Sequence, residues 1–272
     1  MVIKNVKTDK LMQNKDFAKR DTSYCSFWLY NNERDINSQH FKDKFVNFYD
    51  DKELLSEFNP AVAKNIISFW SEDGDVIFDP FAGRTRALVS YAMNRKYIGY
   101  EVSSDVCNYM ETRFKELGLK ERENFEVDIK CSDCINAQED IKNESCDLVF
   151  SCPPYFNIEK YQSADGQLSD IRDYYKFLDA LIKRLNIAVN KLKKDKFMCM
   201  VVGDFRKDKF LHTFEADLIQ AMKENEKIIL HDIIIIQNIP FHAAAYYFGS
   251  RRKYKGVAKA HEYLLVWKKV RQ

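Results

Sequence analysis

A chain of 272 residues that is 46% apolar carries enough hydrophobic surface for the core of one large domain, with or without a small appendage. Its 43 basic residues stand against 41 acidic ones, which excludes a uniformly basic coat and makes any polyanion contact a local one. Seven cysteines, an odd number scattered through apolar segments, argue against a disulfide framework and for a reduced, cytoplasmic protein.

In chain order, residues 1–57 are polar and aromatic. They open by alternating Lys with single apolar residues instead of building a signal-peptide core, and they look helical from Asn37 to Phe58. They read as an N-terminal extension before a main domain at 58–272. No apolar stretch reaches the length of a membrane span, so no membrane partner is expected. From Asn59 onward strands and helices alternate: VIFD (76–79), a helix at 85–95, YIGYEV (97–102), a helix at 104–117, FEVDIKCSD (125–133) and DLVFSC (147–152). Tyr174, Leu178, Leu181, Leu185, Ala188 and Leu192 then share one face of a long helix. FMCMVVGD (197–204), a helix at 213–225, IILHDIIIIQN (228–238) and EYLLVWKK (262–269) complete the series. This alternation requires crossover connections. It predicts an α/β domain with a doubly wound, seven-stranded, mostly parallel sheet. The final two strands lack a clear helix between them, so they are expected as antiparallel neighbours at one edge. Cys131 and Cys134 form a CxxC with no second pair at zinc spacing and are expected as strand packing, with no metal.

In such sheets ligands collect outside the carboxyl ends of the strands. The segment DPFAGRTR (79–86) ends a strand in Asp79 and Pro80 and turns through Gly83 into a helix whose first N–H groups are open. Neither a GK[ST] loop nor GxGxxG is present, so a nucleoside triphosphate or NAD fits poorly. Glu101 ends the next strand, where an acid can accept ribose hydroxyls, and Asp133 ends the third, within reach of an adenine amino group. A single acid at a strand end commonly caps a helix, but three in succession point to a ligand. After the fourth strand comes FSCPPYFN (150–157), which neither a helix nor a strand can continue through Pro153 and Pro154. Cys152 is a nucleophile, a weak polar contact or packing.

FDPFAG, an acid at the second strand and CPPY after the fourth, in that order, resemble the amino-methyltransferases of DNA. These enzymes use S-adenosylmethionine to methylate the exocyclic nitrogen of adenine (N6) or cytosine (N4). The resemblance covers about residues 58–269 and follows the unpermuted arrangement of that family. It implies a class I methyltransferase fold, S-adenosylmethionine as cofactor and DNA as partner, with RNA left open. Residue by residue, it implies that Asp79, Pro80, Phe81, Ala82 and Gly83 hold the methionine end of the cofactor, with Asn59 and Pro60 beside them. Glu101 is implied at the ribose, Asp133 at the adenine and Ser151 on the cofactor side, while Cys152, Pro153, Pro154 and Tyr155 form the catalytic loop. The physical content of that loop is independent of the family. An exocyclic amino nitrogen is a poor nucleophile because its lone pair is delocalised, and acceptors at its two hydrogens favour transfer. Pro153 offers a carbonyl, and Tyr155 offers a face for an extruded base. Phe156 reads as core. Cys152 stands where the family places Asp, Asn or Ser, which leaves cytosine and adenine both open as targets. Attack by Cys152 on a pyrimidine ring, as in carbon-5 methylation, and a non-catalytic nucleic-acid-binding role are the alternatives.

From Phe241 to Gln272 there are eight Lys or Arg and one acid, Glu262. Arg251, Arg252, Lys253 and Lys255 alternate with Tyr246, Tyr247, Phe248 and Tyr254 in a loop at 240–260, a mixture suited to nucleic acid. Arg84 is a further phosphate candidate, and Arg86 either joins it or pairs with an acid. No separate target-recognition domain is evident, so sequence selection falls to the loops at 156–170 and 240–260, to the N-terminal segment, or to a partner.

Overall fold

The computed structural model describes residues 26–29, 58–120, 123, 126–156, 164–207, 210–237 and 261–271. The expected helix from Asn37 and the basic loop at 240–260, with Arg251, Arg252, Lys253 and Lys255, lie outside the described residues.

Helix α1 (Pro60–Trp70) begins where Asn59 Oδ1 accepts the Ala61 N–H at 2.9 Å and Pro60 supplies a preset φ in the first turn. Its buried face, Ala63, Ile66, Ile67 and Trp70, has helical spacing. There follow β2 (Val76–Asp79), α2 (Thr85–Ala92), β3 (Lys96–Tyr100), α3 (Ser104–Glu116) and β4 (Val127–Lys130). The short α4 (Ala137–Asp140) leads to β5 (Cys146–Ser151), and the long α5 (Tyr174–Lys191) runs directly into β6 (Leu192–Val202). A hairpin of β7 (Phe205–Lys207) and β8 (Phe210–His212), α6 (Phe214–Met222), β9 (Ile228–Gln237) and β10 (Glu262–Lys269) complete the domain.

The main sheet runs β1-β9-β10-β6-β5-β2-β3-β4, where β1 is Phe27–Leu29. All pairings are parallel except those of β10. The seven expected strands are present. The antiparallel pair lies toward one end of the sheet, with β10 inserted between β6 and β9. Three features were not expected. Strand β1 adds to β9 in register Phe27↔Ile235, so part of the N-terminal extension belongs to the sheet. The β7–β8 hairpin stands apart from it. Strand β4 ends at Lys130, which takes Cys131 and Cys134 out of the strand: Cys131 is exposed and Cys134 is buried in the turn that follows.

Alternation along the strands splits the core into two layers. Phe78, Val149, Met198, Met200 and Leu265 face one cluster with Leu181 and Leu185 of α5. Ile77, Phe150, Cys199, Val201 and Leu264 face the other, with Val62 and Ile66 of α1 and Val89 of α2. Strand order reverses between β2 and β5, so the loops after these two strands open on the same crevice. Among the described residues no helix is long and apolar enough to cross a membrane, and no group of His, Cys, Asp and Glu could hold a metal ion.

Candidate active site

The loop after β2 is built on Asp79, which is fully buried. Its carboxylate accepts the Phe81 N–H at 3.0 Å, Arg86 Nε at 2.6 Å, the Tyr97 hydroxyl at 2.7 Å and the Ser151 hydroxyl. Arg86 also donates to the carbonyls of Phe81 and Ala82 and lies 5.1 Å from the Phe58 ring. Burial, the largest single effect, acts to lower the Arg86 pKa, but the Asp79 charge and hydrogen bond together with neighbouring Tyr97 and Cys152 outweigh it and hold the guanidinium above its ordinary value. Asp79 therefore lies beneath the pocket as the anchor of the loop, and Arg86, which also lines the cavity, is its ion-pair partner. Pro60, Ala82 and Ser151, also expected as cofactor contacts, are buried like Asp79 and are not among the residues that line the pocket.

Gly83 turns the loop at φ +57, a left-handed conformation that glycine adopts at no steric cost. Its N–H donates to Glu101 Oε2 at 3.0 Å, and the Ser103 N–H donates to Oε1 at 2.8 Å. Burial raises the Glu101 pKa, and these two N–H bonds oppose the shift. Each oxygen retains further acceptor capacity for a hydroxyl.

Asp133 accepts the Ile135 N–H at 3.1 Å as the cap of a short helical turn. It also holds Arg184 of α5 in a two-point ion pair, Nε to Oδ1 at 2.9 Å and Nη2 to Oδ2. Arg184 reaches in addition the carbonyls of Ala180, at 2.8 Å, and Gly166, at 3.4 Å. Arg184 was not expected from the sequence. Its signal was there, a charged residue three positions after Leu181 and four before Ala188 on the buried face of α5.

Beyond Ser151, the CPPY loop leaves the sheet. Tyr155 donates its hydroxyl to Glu262 Oε1 at 2.8 Å, and its ring stands 6.4 Å from Phe214. Phe156 is buried among Tyr174, Phe177 and Phe205, as core. None of the six described cysteines is in a disulfide.

One cavity of about 240 Å³ joins these parts. Gly83 and Tyr155 both line it, as do Asn59, Pro80, Phe81 and Arg84 from the first loop and Cys152, Pro153 and Pro154 from the second. Glu101 and Asp133 contribute the two carboxylates, and Arg184 and Glu262 join them from α5 and β10. Acceptors for hydroxyl and amino donors, a glycine turn and apolar walls at Phe81 and Val102 form a donor set that fits a nucleoside carrying an amino-acid arm.

The sequence matches the profile of a DNA methylase family, N6_N4_Mtase, over residues 2–112 and 146–272. The chain belongs to this family. Its members draw their methyl group from S-adenosylmethionine, which agrees with the cofactor read from the loops. A curated relative, the orphan methyltransferase M.BamHII of Bacillus amyloliquefaciens, is 42% identical over 59 residues, which span 21% of this chain and 22% of that protein. A putative rRNA-methylase from Clostridium thermocellum superposes with a TM-score of 0.51 at 14% identity over 79% of this chain and 100% of its own. A geranyl diphosphate C-methyltransferase from Streptomyces coelicolor, in complex with S-adenosyl-L-homocysteine, gives 0.51 at 12% identity over 77% and 79%. These structural likenesses establish the methyltransferase fold.

Proposed function

We propose that this DNA methylase transfers a methyl group from S-adenosylmethionine to the exocyclic amino nitrogen of cytosine or adenine, in a base turned out of the double helix. The observation that carries the reading is the single cavity shared by the glycine turn after β2 and the CPPY loop after β5. When bound, S-adenosylmethionine supplies a methyl group on a positively charged sulfur. Glu101 accepts the ribose hydroxyls, and Asp133, oriented by Arg184, accepts the adenine amine. Asn59, Phe81 and Gly83 border the methionine end. On the other side of the cavity Pro153 turns its carbonyl to an amino hydrogen of the target base, and Tyr155 supplies the stacking face. Arg84 and the basic run at 251–255 neutralise phosphates, which gives the binding a strong salt dependence.

Nucleoside mass spectrometry tests this reading, on DNA and RNA incubated separately with the protein and labelled S-adenosylmethionine. The expected product is N4-methylcytosine or N6-methyladenine in DNA. The appearance of 5-methylcytosine would assign Cys152 as a nucleophile. Label in RNA alone, or cofactor binding with no transfer, would overturn the DNA amine as target.

A further inference from the structure

Strand β10 runs against its neighbours, so its first residue lies at the edge where the parallel strands end. That residue is Glu262, paired with Ile236 of β9, and the next, Tyr263, pairs with Val202 at the end of β6. The topology thus carries a carboxylate to the CPPY loop from 107 positions further along the chain, where it accepts the Tyr155 hydroxyl at 2.8 Å. Gly203, just past β6, leaves room for the meeting. A Cβ there would stand 3.2 Å from the Tyr155 hydroxyl and 3.6 Å from Glu262 Cγ. Glu262 lines the same cavity as Cys152 and Pro153.

The loop itself is short of one component. An amine that becomes positive as it is methylated is stabilised by an anionic acceptor, and hydrogen bonds to ionised groups are about twice as strong as neutral ones. The Cys152 thiol is a weak acceptor. A carboxylate is anionic and offers about four lone-pair positions, so it can accept from several donors at once, the Tyr155 hydroxyl among them.

We propose that Glu262 is a catalytic residue, the anionic acceptor that faces the target amine and takes the proton the amine loses. This inference rests on the amino-methyltransferase reading above. In the transfer, the amino nitrogen gives its lone pair to the methyl carbon, and the electrons of the broken carbon–sulfur bond stay on sulfur. The proton displaced from nitrogen passes to the Glu262 carboxylate and from there to water. Pro153 supplies the second acceptor, and Cys152 serves to shape the cavity.

Glu262→Gln tests this, because the amide oxygen still accepts from Tyr155 while the charge is gone. The expected result is a fall in kcat of about 100-fold, the scale of a lost general base or charge-stabilising group, with melting temperature and S-adenosylmethionine affinity unchanged. Cys152→Asp, added to Glu262→Gln, is expected to restore at least about tenfold of that loss, because it returns an anion to the cavity from the facing loop. A readout without turnover uses a short oligonucleotide with one 3-methylcytosine, a base that is cationic at neutral pH and shares its positive charge with its exocyclic amine. The wild-type protein is expected to prefer it over the cytosine oligonucleotide, and Glu262→Gln to lose that preference. A Glu262→Gln enzyme within about threefold of wild-type kcat, or one that keeps the preference for the cationic base, overturns the role of Glu262. A wild-type protein that methylates no exocyclic amine overturns the wider reading instead, and the cationic-base measurement then decides on Glu262 by itself.

Discussion

Ser151 donates its hydroxyl to Asp79 Oδ1 across 72 positions of sequence, at the point where strand order reverses. The bond fixes the two loops of the crevice to each other: one starts at Asp79, the other immediately after Ser151. Neither side chain lines the cavity, so both act on the site through geometry.

Asp79→Asn is therefore expected to destabilise the protein first and to weaken cofactor binding only as a consequence. Arg86, buried against Asp79, loses its counter-ion. Removing one partner of a buried pair costs about 3–5 kcal/mol, whereas replacing both by apolar groups is close to neutral. Urea unfolding is the measurement, with Arg86→Met added to Asp79→Asn as the control expected to recover part of the loss, because it removes the unpaired guanidinium while the new amide oxygen still accepts hydrogen bonds. An Asp79→Asn protein of wild-type stability that has lost cofactor affinity would show Asp79 to be a direct ligand instead.

Gly83→Ala separates backbone strain from crowding. A Cβ at Gly83 would meet Arg86 Nη2 at 3.7 Å, an ordinary contact, so space is not what selects glycine there. The conformation is, since a side chain at φ +57 costs about 1–2 kcal/mol. A melting temperature lower by a few degrees is the expected result, together with weaker cofactor binding as the turn relaxes away from Glu101. An unchanged melting temperature would mean that the loop readily adopts another conformation.

Arg184→Met keeps the length and apolar stem of the side chain but leaves Asp133 without its two-point partner. The expected effect is a roughly tenfold rise in the dissociation constant for S-adenosylmethionine, about 1.4 kcal/mol of lost positioning. Isothermal titration measures it, and Arg184→Lys is expected to recover only part, because an ammonium cannot reproduce the fork. Equal affinities in all three proteins would confine Arg184 to a packing role.

These cases also mark how far the sequence could be read. The strands from VIFD to EYLLVWKK were legible because a mostly parallel sheet imposes long apolar runs, and the loops after β2 and β5 because Asp-Pro, Gly and Pro-Pro leave the chain few conformations. Glu101 and Asp133 were legible as lining residues from strand order alone. The burial of Asp79 against Arg86 was not legible, because an acid that faces a ligand and one that faces a buried arginine look alike at the same strand end. Glu262 was invisible for another reason: the missing helix marked β9 and β10 as antiparallel neighbours, but the place of Glu262 at the site depends on β10 also inserting beside β6, a long-range pairing that no local pattern encodes. The three residues of β1 are too few to show a period.

Tyr155→Ala and Cys152→Ser divide the catalytic loop. The first removes the stacking face, so transfer is expected to disappear while S-adenosylmethionine affinity stays near wild type. The second keeps a small polar group, and activity is expected to survive. Complete loss in Cys152→Ser, together with covalent trapping on a duplex carrying 5-fluorocytosine, would make Cys152 a nucleophile.

Glu101 gives the site a pH dependence whose sign is fixed. Burial raises its pKa in the folded, ligand-free protein, so the protonated form is favoured there relative to the unfolded chain. That contribution to stability is fully present below the ordinary glutamate value and is lost as pH rises through the raised folded value. At neutral pH the protein thus carries an ionised, buried Glu101 at a cost. Hydroxyl donors from the cofactor ribose favour the ionised form, so binding relieves that cost. Affinity for S-adenosylmethionine is expected to weaken as pH falls, beginning above the ordinary glutamate value. Glu101→Gln is expected to bind more weakly than wild type at neutral pH and to lose this slope. Parallel titrations of affinity and melting temperature against pH check both signs, and a wild-type affinity that is flat through the acid range would remove Glu101 from the ribose.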